Sequence, residues 1–170
     1  MEKVLLENNN GKIKKGIKII ISSTLNNSAE KIWNKLLNIE TLIEICKPMA
    51  TFKSKLNEKE MKWEINKEYI FKLFIYGFIP FGNHKIILKK LDKENKIILS
   101  NEYNKIVKIW NHLIIMENLG ENEIKYTDEV EIYADEVEIY AGIFTLFTAI
   151  WAKLFYKHRQ KKWKRISMLL

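Results

Sequence analysis

One stretch limits the fold of this chain more than any other: its end, Gly142 to Leu170, which reads GIFTLFTAIWAKLFYKHRQKKWKRISMLL. Ile143, Phe144, Phe147, Ile150, Trp151, Leu154 and Phe155 recur at three- and four-residue spacing, the period of an amphipathic helix. Thr145, Thr148, Ala149, Ala152 and Tyr156 fill the opposite side. One face is therefore large and apolar, and the large face is expected to be covered by the rest of the chain. Gly142 to Tyr156 would span about 22 Å at about 1.5 Å per residue, enough to cross a small sheet and roof a cavity.

The upstream sequence supplies that cover mainly as strands. Residues 1 to 11 form a polar, flexible lead, followed by a single domain over 12–170. Lys12 to Thr24 alternates, with Ile17, Ile19 and Ile21 on one face and β-branched residues favouring extension. Asn27 followed by Glu30 has the spacing of a capping box, and Ile32, Trp33, Leu36 and Leu37 give the stripe of a short helix. A second short helix, Glu40 to Cys46, is expected to stop before Pro48. Strands are then predicted over 51–57, 68–76, 83–92, 96–103, 107–118 and 123–140. Turns are marked by GFIPFG at 77–82, Asp92 to Asn95, Asn104-Lys105 and Gly120 to Asn122. Six strands with short connections predict an antiparallel meander, and the first strand makes seven.

The heptapeptide DEVEIYA occurs twice in succession, at 128–134 and 135–141. An odd repeat reverses the face of every side chain in a strand, so both copies cannot continue one regular strand with the same face inward. Either a bulge near Ala134-Asp135 resets the register or one copy leaves the sheet. A short tandem duplication without function accounts for the repeat itself.

The order strand, two short helices, six-strand meander and long terminal helix resembles the α+β helix-grip fold of the START and birch-pollen-allergen (SRPBCC) superfamily. IIISSTLNNSAEKIWNKLLNIETLIEICKPM resembles its opening strand and helix pair. GFIPFGNHKIIL, SNEY, VKIWNHLI, YTDEVEIYAG and FYKHRQKKW resemble segments of a bacterial branch. The resemblance implies a curved seven-stranded sheet gripping the terminal helix, with a cavity for an apolar or amphipathic small molecule (lipid-like, aromatic or polyketide-like) between them. It brings no catalytic motif and no cofactor. An aromatase/cyclase-like enzyme is the alternative within the same fold.

Ligand-binding candidates are Trp110, His112, Phe147, Trp151 and Phe155 along the cavity, with Phe78 and Phe81 of GFIPFG at its mouth. That apolar loop either packs on the terminal helix or forms a lip that guides a ligand. His112 shares a strand face with Trp110, Ile114 and Met116, while His84 opens the strand after GFIPFG and His158 continues the helix stripe. With Glu102 and Asp128 on neighbouring strands, His84 or His112 could form a His–carboxylate acid/base pair; the plainer reading is a histidine closing a polar gap. HExxH, CxxC, GxSxG and GxGxxG are all absent, so no metal is expected and neither a nucleophile elbow nor a phosphate-cradling loop is indicated.

The net charge of +8 is concentrated in the terminal stretch, on Lys153, Lys157, Arg159, Lys161, Lys162, Lys164 and Arg165, leaving almost none elsewhere. These residues are read as a solvated helix end, with weak contact to anionic membranes as an alternative. Nucleic acid is disfavoured, because Trp163 is the lone aromatic among the charges and no groove-reading motif accompanies it. The first residues lack the apolar core of a signal peptide, and no apolar run reaches the length of a spanning helix, so cytoplasmic residence is expected. Cys46, the single cysteine, reads as a small buried hydrophobe.

Overall fold

The computed structural model describes residues 1–8, 10–54, 61–134 and 141–170. In chain order the elements are β1 (Glu2–Glu7), β2 (Ile13–Leu25), α1 (Ala29–Leu36), α2 (Ile39–Cys46), β3 (Ala50–Lys53), β4 (Glu68–Ile75), β5 (Ile79–Asp92), β6 (Ile97–Tyr103), β7 (Val107–Gly120), β8 (Glu123–Ala134) and α3 (Ala141–Ser167). Strands β3 to β8 form the expected meander, and β2 pairs with β8, giving the antiparallel order β1-β2-β8-β7-β6-β5-β4-β3. This is a helix-grip architecture. The inward-facing Ile19, Ile98, Trp110, Ile114, Met116 and Val130 form its core with Ile32, Trp33, Ile39 and Ile43 of the two short helices.

The eighth strand is a departure from the sequence reading. Residues 2–7, expected in a flexible lead, pair with β2 from Glu2↔Lys18 to Glu7↔Ile13. Val4 and Leu6 alternate onto the sheet's other face and pack on Ile109 and Tyr133, away from the main core. Only two apolar side chains hold β1, too short a pattern to stand out in the sequence. Gly16 faces Val4, and a Cβ there would lie 2.8 Å from the Ile132 carbonyl oxygen, so β1 and β8 crowd β2 at this point.

The first helix starts one residue later than the Asn27–Glu30 spacing predicts. Ser28 is the N-cap, its hydroxyl accepting from the Lys31 amide. Asn27 instead accepts from the Ser28 amide and donates to the Ser167 carbonyl, joining the start of α1 to the end of α3. The first DEVEIYA copy completes β8, whereas residues 135–140 of the second lie outside the described residues.

The largest correction concerns α3. Its buried residues are Thr145, Ala149, Ala152, Phe155, Tyr156, Arg159, Gln160, Trp163 and Ser167, so of the large apolar set only Phe155 is buried and the alanine-bearing face packs on the sheet. Ile143, Leu146, Phe147, Ile150 and Leu154 face solvent, Phe147 at 66 % exposure. The helix packs on β2 and β8, and alanines with a threonine let its backbone approach the sheet closely. Thr145 Oγ1 accepts from the Ala134 amide and donates to the Ala134 carbonyl, both at 3.0 Å, which fixes this approach near the start of the helix. At the positions of Ala149 and Ala152, side chains the size of Phe147 or Leu154 would hold the helix off. Among the described residues no helix is long and apolar enough to cross a membrane.

Candidate functional site

Sheet, α2 and α3 enclose a cavity of about 390 Å³. Most of its wall is aliphatic or aromatic, including Leu73, Ile86, Ile98, Ile114, Trp110 and Phe155. That volume lies within the range of small-molecule pockets. Of the sequence-predicted contacts, Phe81, Trp110, His112, Phe147, Trp151 and Phe155 line it. Phe78 does not: it sits in the β4–β5 turn at 75 % exposure, while its neighbours Ile79 and Phe81 reach the rim. The turn closes through Tyr76 and Gly77, both at positive φ.

Four ionisable groups converge on the concave face because the strand registers place them there. Glu102 pairs across β6 and β5 with Ile86, and across β6 and β7 with Trp110. The alternation of side chains then sets His84 and His112, two residues further on, on the same face as Glu102. Asp128 is diagonal to His112 in the same way, since His112 pairs with Val130. The result is a continuous polar seam across four strands.

His84 Nε2 donates to Glu102 Oε2 at 2.7 Å, and Ser100 Oγ donates to Glu102 Oε1 at 2.8 Å. His112 Nε2 donates to Asp128 Oδ1 at 2.7 Å, and its Nδ1 faces Glu102 Oε1 at 3.8 Å, an ion-pair distance rather than a hydrogen bond. Gln160 Nε2 donates to Asp128 Oδ2 at 2.8 Å. Arg159 descends from α3 with Nη2 4.0 Å from Asp128 Oδ1, and its guanidinium lies over the Tyr156 ring at 4.9 Å. The histidines and carboxylates that the sequence placed on neighbouring strands are thus hydrogen-bonded as His84–Glu102 and His112–Asp128.

Burial opposes ionisation of Glu102, but the two histidines outweigh it and hold the carboxyl below its ordinary range. Asp128 is likewise held down against burial, by the Arg159 charge and by His112. Burial disfavours the His112 cation, yet Asp128 and Glu102 raise its pKa overall. Arg159 stays protonated because Asp128 outweighs its burial. Cys46, also on the cavity wall, is pushed up to about 12 by burial and is a thiol rather than a nucleophilic thiolate.

Arg159 corrects the reading of the basic segment: it is 3 % exposed and lines the cavity. Trp163 is fully buried against Tyr126, with ring centroids 5.7 Å apart, and is unavailable for stacking on bases. Lys157, Lys161, Lys164 and Arg165 are exposed, and Lys162 is half-buried. His158 lies outside the cavity wall and donates to the Lys47 carbonyl at 2.7 Å. Sequence reasoning missed Ser100, Asn104, Thr148 and Tyr156 as lining residues. Ser100 was within reach, being in phase with Glu102 on one strand. Among the described residues, no group of three or more His, Cys, Asp or Glu side chains is placed to hold a metal ion.

The chain is similar in structure to the Zhui aromatase/cyclase from Streptomyces sp. R1128, with a TM-score of 0.70 at 10% identity over 90% of this chain and 94% of the other. A START superfamily protein from Mycobacterium smegmatis matches with a TM-score of 0.57 at 8% identity, over 88% of this chain and 98% of the other. Ara h 8.0201 matches with a TM-score of 0.58 at 9% identity, over 87% and 97%. No protein-family model and no curated protein matches the sequence. At these identities the likeness establishes the fold: the chain has the helix-grip fold of the START and SRPBCC proteins.

Proposed function

We propose that this protein binds an apolar or amphipathic small molecule between its sheet and α3. The observation that carries this reading is the cavity of about 390 Å³, whose wall is mostly aliphatic and aromatic yet holds a few converging polar groups. Removing apolar ligand surface from water contributes roughly 25 cal/mol per Å², so such a site needs little polar chemistry to retain a ligand. Titration with the neutral fluorophore N-phenyl-1-naphthylamine tests it. Saturable enhancement is expected, and Thr148→Trp, which fills the cavity from a half-buried position on α3, should abolish it. Equal enhancement in a folded Thr148→Trp variant would place the dye elsewhere and remove the support.

The His84–Glu102 hydrogen bond favours a second reading, proton transfer to a bound ligand, and the aromatase/cyclase likeness agrees with it. His84 Nε2 is hydrogen-bonded to Glu102, while Nδ1 has no hydrogen-bond partner among the described residues. His84 Nδ1 would accept a proton from an acidic C–H beside a ligand carbonyl, and Glu102 would stabilise the resulting imidazolium. Deuterium exchange at that position of an added aromatic ketone, followed by NMR, should exceed the rate in buffer and fall to it in His84→Gln. An unaccelerated rate in the wild type rejects this reading.

The outer face of α3 supports ligand pick-up at an anionic membrane surface. Its exposed apolar residues Ile143 to Leu154 run to the cavity rim at Phe147, and its exposed Lys157, Lys161, Lys164 and Arg165 continue the same face. Apolar residues beside cations match an interface of acyl chains and anionic headgroups.

A further inference from the structure

The wall of the cavity locates its mouth. Among the described residues that line it, only Ile79 and Phe147 are exposed; the others are half-buried or buried. A residue that faces the cavity and solvent together borders an opening. The cavity therefore reaches the surface between the start of β5 and the start of α3. Apolar side chains lie exposed on both sides of this opening. Tyr76 and Phe78 stand in the turn beside Ile79, and Ile143, Leu146 and Ile150 surround Phe147 on α3. Exposed apolar residues gathered around an opening mark an interaction surface.

Charge selects the partner. Residues 69–91 and 139–170, which supply the two sides, contain no Asp or Glu. Lys72 on β4 precedes the turn, with Lys53 of β3 as its register partner, and Lys157 follows the α3 stripe; all three are exposed. A second copy of the chain set against this surface would oppose lysines to lysines, with no carboxylate in either segment to pair them. An anionic bilayer satisfies both parts of the pattern: acyl chains take up the Phe and Ile side chains, and headgroups take up the lysines.

We infer that the mouth of the cavity itself docks on an anionic bilayer. The β4–β5 turn inserts together with the stripe of α3, and the ligand passes between Ile79 and Phe147 from acyl chains to cavity without crossing water. This rests on the binding and membrane readings above and deepens them with a second inserting element and a route of exchange.

Cys46, the single cysteine, is buried, so an exposed cysteine introduced elsewhere can be labelled selectively with the environment-sensitive dye NBD. Phe78→Cys probes the turn, Ile150→Cys the α3 stripe, and Ile20→Cys the convex face of the sheet; all three positions are exposed. On vesicles containing about one-third phosphatidylserine, NBD at positions 78 and 150 should brighten several-fold and be quenched by spin-labelled acyl chains. NBD at position 20 should not respond. Phe78→Ser should weaken vesicle binding about ten-fold without moving the urea midpoint. A response at 150 without one at 78, or an equal response at 20, overturns this inference and leaves the α3 reading standing. No response at either 78 or 150 removes the membrane reading as well. For the route, protein preloaded with N-phenyl-1-naphthylamine should release it to excess vesicles at a rate that rises with vesicle concentration, because each transfer needs an encounter. A rate independent of vesicle concentration means release through water and overturns the route. Failure of the dye to bind in buffer removes the binding reading and the route with it, while insertion at 78 and 150 is read without any ligand.

Discussion

His112 Nε2 lies 2.7 Å from Asp128 Oδ1, and the ring is held between that carboxylate and Glu102 on the opposite side. Its pKa is raised in the fold, so its contribution to stability is fully present below the unfolded histidine value of about 6.5 and is lost as pH climbs through the folded value. Glu102 and Asp128 are depressed, so theirs are present above the ordinary carboxylate range and lost as pH falls through the folded values. Stability should therefore peak in the window between about pH 5 and about pH 6.5 and decline by about pH 8. Urea midpoints at these pH values check this. The decline toward pH 8 should flatten in His112→Gln, and an unchanged slope in that variant would contradict the assignment.

Asp128 is the anion closest to the buried Arg159 guanidinium. Asp128→Asn keeps the shape and leaves Arg159 and His112 without their shared counter-charge. Breaking a buried pair from one side costs about 3–5 kcal/mol, so this variant should lose a corresponding part of its unfolding free energy in denaturant titration. A loss below about 1 kcal/mol, the scale of a surface pair, would mean that the seam is solvated.

The two faces of α3 make opposite predictions. Leu154 is 55 % exposed, and Leu154→Ser should change stability by no more than about 0.5 kcal/mol despite removing a large apolar side chain. Ala152 is fully buried, and Ala152→Leu should cost about 1–3 kcal/mol by forcing the helix off the sheet. The reverse order would restore the face expected from side-chain size.

Neutralising Lys157, Lys161, Lys164 and Arg165 should weaken co-sedimentation with vesicles containing about one-third phosphatidylserine, by several-fold per charge, without affecting unfolding. Wild-type binding that is absent, or equal on purely zwitterionic vesicles, removes the membrane reading.

The sheet was legible because alternation over long strands leaves one arrangement: the meander and the concave positions of Trp110, His112 and Ile114 follow from period two alone. Which histidine meets which carboxylate was not legible, because that depends on the registers of β5 to β8 as well as on parity. The helix face was misread because periodicity reports two faces without saying which one packs. Size suggested Phe147 and Leu154, whereas close approach to β2 and β8 selects Ala149 and Ala152. The run Thr145, Ala149, Ala152, Tyr156, Arg159, Trp163 keeps a four- and three-residue spacing through the basic segment. Following it would have placed Arg159 inside. Strand β1 escaped notice because two alternating buried side chains, Val4 and Leu6, are too few to establish a period.

The central claim is that the space between sheet and α3 holds a small molecule. Native mass spectrometry after incubation with an organic extract of cells tests it most directly. The account predicts a discrete non-covalent adduct of small-molecule mass on the wild type, and its loss in the folded Thr148→Trp variant. Bare protein throughout, or an adduct that survives Thr148→Trp, would contradict it.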